Sequence, residues 1–298
     1  MDQATNHRIN ASTGHVTTWL MALALIGFAL LMFRHVLAPD YCLFSTDDNI
    51  GAISLAKSFL PHGFFGSWGD TLYMGSPGFF FPHSWNYFLV WLLPLKFYIN
   101  WLHAINLSLA SICLAMFLRG RQVGWAGIAL GLLTAFWLGS NLTLTYAGHV
   151  VKYGVLMLSS AALFCIARAL VRQPNLLWSI LAGGAIGFMF LEQPDVALFF
   201  GFILGAYALF LAVRQWLANG NWAKSALALS LMGGIGLLIS ASSTFISYAS
   251  NVEGGVLQAE SPQAKWEYAT QWSWPPDECI DFIAPGYMGW RSGEPAGP

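Results

Sequence analysis

Asp47 and Asp48 are adjacent acids in a 298-residue chain that is only 9% charged and 56% hydrophobic. A carboxylate beside lipid has to be solvated, paired or metal-bound. A doublet kept in such a chain is therefore a candidate functional site. Within Ser45-Thr46-Asp47-Asp48-Asn49, either acid could take a proton from an acceptor hydroxyl. Either could also help hold a divalent cation, Mg or Mn. Thr46 and Asn49 are placed to orient the acting carboxylate. The competing role is capping: Ser45 or Asp47 is expected to cap a short amphipathic helix over 49–59, since acids favour a helix N-terminus.

Four further groups carry chemical potential. His149 and Lys152 stand three residues apart in Tyr146–Tyr153. On one helix face they could hold a phosphate, with Lys152 as the point charge. They could equally be an interfacial histidine and a snorkelling lysine between belt tyrosines. Glu192 and Asp195 flank Pro194 and interrupt an apolar region. They read either as a polar turn or as metal ligands or acceptor contacts. The loop 69–78, followed by Phe79, Phe80, Phe81, Pro82 and His83, is rich in glycine, proline and aromatics. It suits a shaped surface for a sugar face or for lipid headgroups. In the tail, Trp272, Trp274 and Trp290 lie near Asp277 and Glu278, which suits carbohydrate stacking or plain packing. Metalloprotease, Walker and nucleophile-elbow patterns are absent. No basic run points to nucleic acid. The four cysteines show no metal spacing, and Cys42 with Cys279 is the one disulfide to consider.

The elements that hold these residues are set by composition. Soluble domains carry about 25% charged residues, so the chain reads as an all-α polytopic membrane protein. Apolar runs at 16–33, 125–142, 153–167, 176–191, 196–213 and 226–246 approach the roughly 20 residues of a crossing. The stretch 85–118 is too long for one span and awkward for two. Its aromatic start, closing at Pro94, predicts an interfacial or re-entrant helix that feeds one crossing around 99–118. With the N-terminus inside, the inner segments hold Arg8, Arg119, Arg121, Arg168, Arg172, Arg214 and Lys224, and their only acid is Asp2. The positive-inside rule thus favours seven crossings, with eight as the alternative. The expected organisation is a cytoplasmic N-terminus (1–15), a first transmembrane helix (16–33) and an outer loop with the acidic motif and short amphipathic helices (34–84). A helix bundle (85–246) and an outer segment (247–298), expected to open a further domain, complete it.

In this order of parts the chain resembles the GT-C superfamily of membrane glycosyltransferases, and within it the YfhO-type bacterial membrane proteins. The likeness rests on Thr46-Asp47-Asp48, the Gly75-Ser76-Pro77 loop running to Pro82, Gly148-His149, and the tail from Gln271-Trp272-Ser273 to Pro285-Gly286. It implies an enzyme of the bacterial cytoplasmic (inner) membrane that uses a polyprenyl-phosphate-linked sugar. The sugar would pass to an acceptor glycan or polymer on the outer face. Asp47 or Asp48 would then be the catalytic base or a metal ligand. Lys152, His149 and Arg34 would neutralise the donor phosphate, and Glu192 and Asp195 would serve acceptor or metal. The rival readings are a transporter or lipid flippase, for which Glu192 and Asp195 would form a coupling site, and a non-catalytic envelope scaffold.

Overall fold

The computed structural model describes residues 24–43, 49–69, 76–79, 81–137, 145, 148–171, 173–220, 222–248, 261–270, 275–284 and 287. Helices dominate these residues. Residues 24–32 are helical (α1) and run into a 3-10 turn, Arg34–Leu37. Then follow α2 (Ile50–Phe59), a two-stranded antiparallel ribbon of β1 (Ser67–Gly69) and β2 (Ser76–Phe79), α3 (Trp85–Leu92) and α4 (Leu95–Gly120). The bundle continues with α5 (Trp125–Phe136), α6 (Val150–Leu170), α7 (Leu176–Glu192), α8 (Pro194–Asn219) and α9 (Trp222–Tyr248).

Four helices are long and apolar enough to cross a membrane: Leu95–Gly120, Val150–Leu170, Pro194–Asn219 and Trp222–Ala241. The shorter apolar helices are Ile50–Phe59, Trp125–Phe136 and Leu176–Glu192. Four is thus the number that meets both criteria among the described residues, against seven expected crossings. The first expected span begins before the described residues, and the fifth helix ends at Phe136 with Trp137 as its C-cap, short of the expected run to 142.

Local chemistry sets the boundaries. The 85–118 stretch divides at Pro94, because the preceding Leu93 is held extended (ψ 150°) and ends α3. Pro94 then leads straight into the 26 residues of α4. Asn175 caps α7 by accepting from Trp178 N–H at 3.2 Å. Pro194 opens α8 at a position that needs no N–H donor, and Gly220, at φ 66°, closes it in the left-handed region.

The centre of the bundle is α6. Of its spanning window 61% is buried, against 28% for α8 and for α9. Gly154, Ser159, Ser160, Ala162 and Ala169 keep its surface low, so neighbouring helices approach closely. Both serine hydroxyls bond back to Leu156 C=O, leaving no polar demand on lipid. On α7 the pair Gly183 and Gly187 does similar work. A Cβ on Gly183 would lie 2.6 Å from Met232 C=O, and one on Gly187 would lie 2.7 Å from Ile239 Cβ.

Residues 1–244 form one compact unit and 245–298 another. In the second unit, α10 (Pro262–Thr270) is followed by a 3-10 helix, Pro276–Phe282, with Asp277 and Glu278 in its first turn. All four cysteines are free thiols.

Candidate functional site

Glu192 is the last residue of α7, yet its side chain is buried, only 7% exposed. It is aimed at the N-terminus of α3, 106 residues earlier in the chain. Its Oε1 accepts from Asn86 N–H at 2.9 Å, and its Oε2 accepts from the Asn86 side-chain amide. The Ser84 hydroxyl and the Trp85 N–H also face it. Asn86 in turn accepts from Asn106 of α4 at 3.5 Å, and Asn106 accepts from the Trp85 indole N–H at 3.0 Å. A connected polar network therefore ties α3, α4 and α7 together at one end of the bundle. Space for it comes from α6. A Cβ on Gly154 would fall 2.8 Å from Asn86 Nδ2 and 2.9 Å from Glu192 Cδ.

The other end of α3 is held by a cation. The Lys57 ammonium, from α2, donates to Val90, Trp91 and Leu93 C=O at 2.5, 3.0 and 2.8 Å. Three donors meet three carbonyls that the helix leaves unpaired. The eight-residue α3 thus carries a carboxylate at its positive end and an ammonium at its negative end, the favourable arrangement at both. Lys57 therefore lies on the packed side of α2 rather than off it. Lys96 behaves alike and donates to Pro39 C=O.

A cleft of about 250 Å³ opens between α2, α3, α4 and the start of α6. Ile53, Ala56, Val90 and Val150 give it apolar walls, and Asn86 brings the edge of the polar network into it. Beside it, Phe64 stacks on His83 at 4.9 Å and packs on Phe88 at 5.1 Å, while Phe81 packs on Tyr87 at 5.0 Å.

Asp47 and Asp48 lie outside the described residues. Their flanks are inside. Leu43 N–H donates to Asn100 Oδ1 of α4 at 3.0 Å, and Asn100 donates to Tyr41 C=O at 3.1 Å. On the far side, Asn49 is the N-cap of α2 and accepts from Ala52 N–H at 2.9 Å. The expectation that Ser45 or Asp47 caps this helix is corrected: Asn49 fills the N-cap position.

The remaining predicted residues are spread out. His149 is the residue before α6, and Lys152 is in its first turn. Two residues turn an α-helix by about 200°, so Lys152 and Gly154 lie on opposite sides of α6. Lys152 is not among the cleft residues. Arg34 is exposed in the 3-10 turn after α1. Asp195 is exposed in the first turn of α8 and accepts from Gln193 Nε2 at 3.5 Å. The Glu192/Asp195 pair is thus divided between interior and surface. No group of three or more His, Cys, Asp or Glu that could hold a metal occurs among the described residues.

Sequence reading missed Asn86, Asn100, His103, Asn106 and Gly154. Asn100, His103 and Asn106 stand on one face of α4, all buried. His103 lies between Phe33, at 6.5 Å, and Tyr153, edge-on at 5.0 Å, and neither ring nitrogen has a hydrogen-bond partner. Their i, i+3, i+6 spacing in an apolar helix was the available signal. No family model, curated protein or solved structure matches the chain.

Proposed function

We propose that the protein is a membrane glycosyltransferase of the bacterial cytoplasmic membrane. It crosses the bilayer seven times with its N-terminus inside, and moves a sugar from a polyprenyl-phosphate donor to an acceptor on the outer face. The observation that carries this reading is the cleft walled by α2, the helix that starts directly after Asp48. Its apolar sides suit an isoprenoid chain, and its polar edge at Asn86 suits the headgroup region. In this scheme Asp47 or Asp48 takes the acceptor proton, or would be a ligand of a divalent cation, which would supply Lewis acidity that lowers the pKa of the acceptor hydroxyl. Lys152, His149 or Arg34 neutralises the departing phosphate. Glu192 positions the cleft by fixing α3.

The test is transfer of labelled sugar from a polyprenyl-phosphate donor in membrane vesicles carrying the full chain. Replacement of the acting acid, Asp47→Asn or Asp48→Asn, is expected to lower transfer by about 10²-fold or more at unchanged expression. Full transfer by both variants overturns the scheme. The buried Glu192 between helices favours one rival, a proton-coupled transporter. Solute uptake into proteoliposomes that Glu192→Gln abolishes would select it.

A further inference from the structure

The opposite end of the bundle, where α4 and α6 finish and α7 begins, has a different charge problem. Arg119, Arg121, Arg168, Arg172, Arg214 and Lys224 belong to stretches 71–191 and 196–252, which contain no aspartate or glutamate at all. A cleft of about 460 Å³ lies between these helix ends. Arg121, Arg168 and Gln173 line it with Phe117, Phe164 and Trp178, and among the described residues no carboxylate does. That volume is in the range of small-ligand sites, about 300–1,000 Å³.

Arg121 and Arg168 meet no carboxylate among the described lining residues. The Arg168 guanidinium sits over the Trp178 ring at 5.4 Å, which restrains its fork without using its hydrogen-bond donors. Next to the cleft, Tyr207 packs edge-on to Phe117 at 6.0 Å, and its buried hydroxyl has no hydrogen-bond partner. Arg121 and Arg214 are both within electrostatic reach of that hydroxyl. Guanidinium forks match phosphate oxygens, while the aromatic wall is suited to hydrocarbon. Basic recesses between transmembrane helix ends are a recurring place for anionic lipid headgroups.

We propose that this cleft binds the phosphodiester headgroup of an anionic membrane phospholipid. Arg121 and Arg168 hold the phosphate, Gln173 reaches the polar head, and Phe117, Phe164 and Trp178 lie along the first carbons of the acyl chains. The site is independent of the transferase reading and needs only that the helices sit in a bilayer.

The purified full chain in neutral detergent, titrated with phosphatidylglycerol and read by native mass spectrometry and thermal unfolding, tests it. Arg121→Gln with Arg168→Gln is expected to weaken phosphatidylglycerol retention roughly 30-fold, the effect of two juxtamembrane charges. Arg119→Gln removes one charge stacked on Trp125 outside the cleft, and is expected to weaken it by about threefold or less. Retention unchanged in the double variant, or lost equally in Arg119→Gln, overturns the proposal. Phosphatidylcholine is expected to give no retention; equal retention of it overturns the proposal. Inorganic phosphate that raises the unfolding temperature as much as phosphatidylglycerol assigns the cleft to a free anion and overturns the lipid. Should the double glutamine variant fail to fold, Arg121→Lys with Arg168→Lys replaces it. Several-fold weakening there supports the fork, and wild-type retention overturns it.

Discussion

The two ends of the helix bundle handle charge in opposite ways. At the Glu192 end three ions are matched by the protein's own backbone or amides: Glu192 by the start of α3, Lys57 by its finish, Lys96 by Pro39. At the arginine end the guanidiniums of Arg119 and Arg168 lie on tryptophan rings, and the stretch 71–191 that carries them holds no acid. The first arrangement builds a fixed scaffold, above all at Glu192 and Asn86, where removing either partner strands a buried polar group. The second leaves charge available to something that is not protein. Within one bundle, ionic groups thus serve internal architecture at one end and outward recognition at the other.

The contrast can be broken by measuring stability. The largest effect is expected from Glu192→Ala, which strips acceptors from Asn86 and the first turn of α3 and should cost about 4 kcal/mol in reversible unfolding. Gly154→Val comes next. Its side chain has to enter space held by Asn86 and Glu192, and overpacking of this kind costs about 3 kcal/mol. Lys57→Met retains the stem but abandons three carbonyls, and about 1–2 kcal/mol is expected. Arg168→Gln should fall within about 1 kcal/mol of wild type, the scale of one exposed cation–π contact. If Arg168→Gln destabilised more than Lys57→Met, the division between scaffold and recognition ends would be wrong.

Much of the element order was legible because it rests on local rules. Pro94 divided the 85–118 stretch into a short aromatic helix and one long helix, as its backbone restriction requires. The Pro194 turn and the short helix after the acidic doublet were readable for the same reason. The partner of Glu192 was not. An acid at 192 and an amide at 86 meet only because α3, α6 and α7 converge, and no spacing in the sequence encodes that meeting. Gly154 was invisible in the same way, since a missing side chain carries meaning only once its neighbours are known. Asn100, His103 and Asn106 were legible in principle, but an overall apolar average hid a polar line along one helix face. The role of Lys57 was not legible either, because periodicity sorts side chains by polarity and ignores a helix end waiting for a donor.

The Lys57 ammonium has one further implication. With each of its hydrogens held on a peptide oxygen, the nitrogen is open to an incoming reagent only when α2 lifts away from α3 and releases these contacts. Its acylation by an amine reagent is therefore gated by that separation, and the lysine serves as a built-in chemical clock for how often the wall of the cleft swings open.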